Sequence, residues 1–328
     1  VTDPYEPGST FKAFTVASAL EEGSVSPDQS FTVPDSIRVP GVTVHDSHPH
    51  PTEDMTPEEI LRESSNVGAI KIAQELGGKR LNEYIKSFGF GEGTGVDLAG
   101  EAAGSVLPYA DWSGASIGNI PIGQGISVTP LQLAAGYSTL ANGGFEVEPY
   151  VAEQSASKGT GDRVISGETS DIVRGMLQSV VDDGTGGYAQ IPGYSVAGKT
   201  GTSEKIDPET GAYTDKYISS FVGFAPASDP EYLVLIAVDE PQDSMWGEEV
   251  AAPAFQEVMS YALGYAGVVP DRPGYEAPNL SFSPERFDGD GLPGYPEAGT
   301  SESYDPFAAS PEDPPEEGAA SRGRGGAR

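Results

Sequence analysis

Ser9 and Lys12 stand three residues apart in Glu6-Pro7-Gly8-Ser9-Thr10-Phe11-Lys12, at the front of an apolar run. On a helix that spacing puts a hydroxyl and an amine on one face, with Cβ atoms about 5 to 6 Å apart, within reach of a proton transfer. A serine hydroxyl is a weak nucleophile at neutral pH and needs an adjacent base. A helix N-terminus also offers unpaired backbone N–H groups and the positive end of the dipole, which favour the anion formed when a hydroxyl attacks a carbonyl. Taken alone, Ser-x-x-Lys is equally an ordinary helix start, an N-cap serine followed by a surface lysine.

Two further clusters follow in chain order. Ser64-Ser65-Asn66 falls between two helical stretches, and Lys199-Thr200-Gly201-Thr202 follows the apolar run from Tyr194 to Ala197. Individually, Asn66 reads as a cap of the next helix and Lys199-Thr200-Gly201 as a plain strand end. Together, three such clusters in order and in matching contexts are much harder to obtain by chance. Gly123-Gln124-Gly125 reads as a tight turn rather than a substrate contact. His45, His48 and His50 lie in one loop with Asp46, a set that can ligate zinc. A polar surface loop is favoured, because Pro49, Pro51 and the lack of a distant fourth ligand offer no preformed site. With every histidine in that loop, a Ser-His-Asp triad elsewhere in the chain is excluded.

The elements that must position these groups are legible from apolar spacing and punctuation. A first helix spans about 10–22 and stops at Gly23, and a loop with strand-like pieces covers 31–44. Thr56-Pro57-Glu58-Glu59 starts a second helix, Asn66 opens a third that Gly77-Gly78 breaks, and a fourth runs from Lys79 to Phe88. Phe90 to Pro108 reads as a Gly-rich loop. Thr129-Pro130 repeats the cap-plus-proline start for a helix over 131–141, and another spans about 168–181. Three strands follow, Tyr194 to Thr202, Tyr217 to Ala225 and Tyr232 to Val238, with a long connection over 203–216 and a closing helix over about 253–263. Helices first, then an antiparallel meander and a last helix, predict an α+β fold. The expected division is one domain over 1–266 and a disordered acidic Pro/Gly-rich tail over 267–328 without catalytic role, its three closing arginines included.

Composition narrows the partners. Fifty acidic residues against 18 basic ones leave a net charge of -32, which excludes nucleic acid as a natural partner. The acidity fits either a salty habitat or lineage bias. Cysteine is absent, so neither a disulfide framework nor a thiolate metal site is available. No apolar run approaches the ~20 residues of a membrane span. Because the chain opens on Val1 a few residues before the reactive serine, the expectation is that the natural N-terminus lies further upstream.

The three clusters together are the Ser-x-x-Lys, Ser-x-Asn and Lys-Thr-Gly set of penicillin-binding proteins and class A β-lactamases. With Asp3-Pro4-Tyr5-Glu6-Pro7-Gly8, Asn66-Val67-Gly68, Phe88-Gly89-Phe90-Gly91, Thr94-Gly95 and the stretch from Gly123 to Gln132, the chain from Val1 to about Gly264 resembles the transpeptidase domain of class B penicillin-binding proteins, most closely the FtsI-like cell-division branch. The resemblance implies a D,D-peptidase-like antiparallel sheet flanked by helices, its first strands missing from this chain, which would leave the edge from Leu233 to Val238 without a neighbour. It implies a peptidoglycan D,D-transpeptidase that binds β-lactams and serves septal wall synthesis.

In that scheme Ser9 attacks a stem-peptide carbonyl, Lys12 takes its proton and Ser64 relays a proton to the leaving amine. Asn66 holds Lys12 and the substrate amide, and Lys199 supplies a positive field. Thr200, Gly201 and Thr202 bind the substrate carboxylate. No metal or organic cofactor is implied. The implied partners are stem peptides, a glycan polymerase and divisome proteins, and the implied place is a membrane anchor with the catalytic domain on the extracytoplasmic face. Alternatives on the same scaffold are a D,D-carboxypeptidase, which uses water as acceptor, and a non-catalytic β-lactam sensor domain. A β-lactamase is disfavoured, because no matching glutamate and asparagine arrangement is present and the interval from Ser64 to Lys199 is long.

Overall fold

The apolar run that carries Lys12 folds as α1 (Lys12–Glu21), entered through a 3-10 turn over Gly8–Phe11. The structure is a computed structural model and describes residues 1–152, 161–207 and 209–277. The Phe14 ring lies 5.0, 4.9 and 5.2 Å from the rings of Phe88, Phe90 and Tyr137, all edge-on. Edge-to-face contacts of this kind add to the stabilisation from area burial. They hold α1 in the middle of the molecule, with every residue from Lys12 to Ala19 buried.

The other elements follow in chain order: β1 (Phe31–Val33), β2 (Ser36–Val39), β3 (Val42–His45), β4 (Glu53–Met55), α2 (Pro57–Arg62), α3 (Asn66–Leu76), α4 (Gly78–Ser87), α5 (Ser116–Asn119), α6 (Pro130–Ala141), α7 (Gly167–Asp183), β5 (Ala197–Ile206), β6 (Tyr213–Ala225), β7 (Tyr232–Asp239), α8 (Gly247–Val250) and α9 (Ala252–Ala266). The expected α+β architecture is what the chain adopts. Both threonine-proline starts are capping boxes, Thr56 with Glu59 and Thr129 with Gln132. The strand-like pieces after α1 pair as two small antiparallel ribbons, β1 with β4 and β2 with β3.

The main sheet is antiparallel in the order β5-β6-β7. Residues of β6 alternate between two cores: Val222 and Phe224 face the cluster built on α1, while Phe221 and Ala225 face α9 through Phe255, Met259 and Leu263. A strand buried on both faces is thereby fixed in register, since a one-residue slip would exchange its faces. Among the described residues β7 is an edge strand, with Leu233 and Leu235 on one face and Val234 and Ile236 on the other, all partly buried.

Two expectations are corrected. The connection over 203–216 is mostly strand: β5 continues to Ile206 and β6 begins at Tyr213, with a register shift between Glu204 and Ile206. Polar residues on an exposed hairpin hide its period. Its far end is tied down where Tyr213 Oη donates to Glu6 (3.1 Å), whose carboxylate also accepts from Gly125 N–H (2.7 Å). Burial pushes Glu6 up to about 7 against the pull of these two bonds. The segment just past α9, expected to open the disordered tail, packs on the domain as far as Tyr275. Asp271 accepts from Ser195 N–H (2.8 Å), Arg272 makes two bonds to Asp182 (2.9 and 2.7 Å), and Tyr275 Oη donates to Gln190 (2.7 Å). Point contacts by charged and aromatic groups leave no apolar period to read. The rest of the expected tail, 278–328, lies outside the described residues.

Gly123 shows how tightly the turn that carries Ser9 is buttressed. It has φ +80°, its carbonyl accepts from Gly8 N–H at 3.1 Å, and a Cβ there would lie 2.2 Å from the Gly8 carbonyl oxygen. Left-handed strain and a backbone clash act together, so Gly123→Ala is expected to lower unfolding free energy by about 2 to 4 kcal/mol, read from the urea midpoint at unchanged m-value.

Candidate active site

Ser9 is the second residue of the 3-10 turn, and its side chain caps neither that turn nor α1. The helix-start reading of Ser9 therefore does not apply, and the residue lines a cleft instead. Lys12, one turn on and 1 % exposed, turns to the junction between α2 and α3, where Nζ donates to the Ser64 carbonyl and to Ser64 Oγ (3.3 Å). A neutral amine has two N–H groups and one lone pair. Two donated bonds leave the lone pair as the remaining site, ready for a proton.

Ser64 occupies the left-handed region at φ +58°, uncommon for a residue with a Cβ. The sharp corner it makes joins α2 to α3, and the cap of α3 is Ser65, whose Oγ accepts from Gly68 N–H at 2.9 Å. Asn66 is thus the first residue of α3 and not its cap. Its side-chain amide donates to the His45 carbonyl at 2.8 Å.

Lys199, Thr200, Gly201 and Thr202 all lie on β5. Lys199 is fully buried and its Nζ donates to Thr200 Oγ1 at 3.2 Å; Thr200 Oγ1 in turn donates to Thr185 Oγ1 at 3.3 Å. Gly201 is where the strand meets the turn that carries Ser9: a Cβ there would lie 2.9 Å from Thr10 Cγ2, 3.1 Å from the Pro7 carbonyl and 2.5 Å from Ser220 Oγ. A side chain would push β5 off the turn that carries Ser9. Thr202 Oγ1 accepts from Gly247 N–H at 3.2 Å, docking the approach to α8 on the same strand.

These parts surround one solvent-open cleft. Ser9, Ser64, Asn66, Thr200 and Thr202 line it, with Lys12 and Lys199 buried behind the wall. Ser9 from the entry to α1, the corner before α3, and β5 are brought together from positions up to about 190 residues apart in the chain.

The penicillin binding protein transpeptidase domain matches residues 1–260. The chain belongs to that family. It is 43% identical over 282 residues to penicillin-binding protein PbpB of Mycolicibacterium smegmatis, covering 80% of this chain and 44% of that protein. To stage V sporulation protein D of Bacillus subtilis it is 39% identical over 284 residues, 82% of this chain and 44% of that one. The chain thus spans less than half the length of these relatives. The structure of penicillin binding protein 3 from Mycobacterium tuberculosis complexed with ampicillin superposes with a TM-score of 0.75 at 38% identity, covering 84% of this chain and 66% of that one.

Electrostatics of this transpeptidase domain centre on the two lysines. Burial, and then the charge of Lys199, hold Lys12 well below the ordinary lysine range, while Asp46 pulls the other way. Burial brings Lys199 down to about 7, with Glu248 opposing. Several cleft residues carry no motif and were missed by sequence reasoning: Thr185, Gln124, His48, Trp246 and Glu248. Gln124 sits in the turn read as purely structural, and its Oε1 has no hydrogen-bond partner among the described residues. The histidine loop, expected as polar surface, instead reaches the cleft, with the His48 ring 5.7 Å from Trp246.

Selective 13Cε labelling of lysine tests this picture. One buried lysine, assigned by Lys199→Met, is expected to titrate near pH 7, apart from the surface lysines. In Glu248→Gln the same resonance should move to lower pH, because the carboxylate that favours the ammonium is gone.

Proposed function

We propose that this domain is a serine D,D-transpeptidase that cross-links peptidoglycan stem peptides. The observation that carries the reading is the convergence of Ser9, the buried amine of Lys12 on Ser64, and the Thr200 and Thr202 hydroxyls of β5 in one cleft. Ser9 Oγ attacks the carbonyl of the penultimate D-alanine while its proton passes to the Lys12 lone pair. The tetrahedral oxyanion is held by the backbone N–H groups of Ser9 and Thr202, each worth about 3 to 4 kcal/mol in such sites. Collapse breaks the C–N bond; the proton returns from Lys12 through Ser64 to the departing D-alanine amine, and an ester on Ser9 remains. Thr200 and Thr202 donate to the terminal carboxylate, Lys199 supplies positive field, Gly201 lets the strand close on the turn, and Asn66 orients the substrate amide. The amine of a second stem peptide then attacks the ester, returns its proton by the same route and restores Ser9.

A β-lactam enters by the same first step, in keeping with the ampicillin complex of the mycobacterial neighbour. We assign the chemistry to 1–266, strapped by the segment through Tyr275, and no catalytic role to the acidic remainder of 267–328. Septal wall synthesis, a glycan polymerase and divisome proteins as partners, and a membrane anchor with the domain on the extracytoplasmic face complete the reading; they rest on the family resemblance. No described helix is long and apolar enough to cross a membrane.

Intact mass after incubation with benzylpenicillin is the test. The expected result is one stoichiometric adduct on Ser9, absent in Ser9→Ala, that persists for many minutes. Absence of the adduct overturns the reading, and release within seconds assigns a β-lactamase instead. Incubation of stem peptides with an added amine should give the amide in preference to the hydrolysed acid; the acid alone would mark a carboxypeptidase.

A further inference from the structure

Asp46 belongs to none of the three motifs, yet it is the residue most heavily engaged with the second. It lies just past β3, its side chain is 7 % exposed, and both oxygens are used twice. Oδ1 accepts from the backbone N–H groups of Asn66 and of Val67 (2.9 Å for the latter), and Oδ2 accepts from Ser65 Oγ (2.6 Å) and lies 3.0 Å from His50 Nε2. The N–H groups of Asn66 and Val67 belong to the first turn of α3, where no intrahelical acceptor exists and the dipole favours an anion. Ser65 satisfies Gly68 N–H, and Asp46, from 20 residues earlier, satisfies the two before it. The Asn66 amide donates back to the His45 carbonyl, so the corner is gripped from both sides.

That corner contains Ser64 in its left-handed conformation, and Ser64 is what Lys12 holds. A strained residue keeps its conformation only where its surroundings over-determine it. We propose that Asp46 is a positioning residue for acyl transfer: it clamps the Ser64-Ser65-Asn66 corner against Lys12 and sets the charge behind that amine, with His50 as its counter-charge. The inference rests on the acyl-serine reading above.

The charged groups around Lys12 are Lys199 from β5 and Asp46 from this loop, and the two act in opposite directions on it. Around His50 they are Asp46 and Glu53 of β4, with the Pro51 carbonyl at 2.7 Å from Nδ1. Burial opposes protonation of His50, but the Asp46 bond, the Pro51 carbonyl and Glu53 together hold it above the ordinary histidine range. His50 is therefore a cation at mildly acidic pH, and His48, against Trp246, is a separate group lowered by its burial.

The test is the second-order rate of Ser9 acylation by benzylpenicillin against pH, with thermal melts alongside. Asp46→Ala is expected to lose about 100-fold at pH 7, the scale of an ångström-sized misplacement. Asp46→Asn, whose amide oxygen still accepts from the two backbone N–H groups, should recover much of that rate. It should also move the acidic limb down by about half a pH unit, because the anion that favours the protonated form of Lys12 is gone. His50→Gln should move the same limb up. A purely structural cap would lower rate and melting temperature together and leave the limb in place. A limb unmoved in both Asp46→Asn and His50→Gln, or an Asp46→Ala rate within about threefold of the parent, overturns the inference while leaving the acyl-serine reading intact. Absence of acylation in the unsubstituted chain overturns that reading first.

Discussion

Two lysines with no access to water are the constraint around which this domain is organised. Lys12 is 1 % exposed and Lys199 fully buried. Taking an ammonium out of water costs several kcal/mol per ion unless it is paired or gives up its proton. Lys12 cannot swing out to solvent, because α1 is enclosed by aromatic rings on the helix side and by the α2 to α3 corner at its head. Burial and the charge of Lys199 therefore hold the Lys12 pKa well below the ordinary lysine range, which favours the neutral amine. The packing that makes the helix stable is thus also what lowers the pKa of Lys12.

Lys199 resolves the same problem differently. Burial brings its pKa to about 7, and the charge of Glu248 limits that shift. Its charge in turn disfavours protonation of Lys12. Two residues of equal chemistry have unequal surroundings, because Lys12 meets the Ser64 corner and Lys199 meets Thr200. The glycine between the threonines permits this arrangement, since it lets β5 approach the turn of Ser9 to contact distance.

Much of this was legible in the chain. Apolar spacing and threonine-proline starts located α1, α2, α3, α6 and the three strands, and the order of elements predicted the α+β class. What escaped had weak local signal. The exposed hairpin between β5 and β6 has polar residues where a strand period is sought, and its length depends on Tyr213 meeting Glu6, about 207 residues away in sequence. The histidine loop read as polar surface because its two prolines and the lack of a distant fourth ligand offered no preformed site; its position at the cleft is set by Asp46 binding the first turn of α3 and by His48 meeting Trp246. Thr185, Gln124 and Glu248 belong to no motif, and contacts between distant segments leave no periodic trace.

The residue types and spacings by themselves determined the class of chemistry: a hydroxyl and an amine on one helical face, a serine-asparagine corner, and a hydroxyl-bearing strand end, with glycines where the backbone must turn or approach closely. Local physics suffices there, because helix period, capping and turn preferences act within a few residues. Only the tertiary structure decided that Lys12 is dry and its pKa held well below the ordinary lysine range, that Ser64 is held in a left-handed corner by a carboxylate from another loop, and that burial brings Lys199 down to about 7. Each of those depends on how much water is excluded and which charges are brought close, and both are properties of the packed fold rather than of any segment.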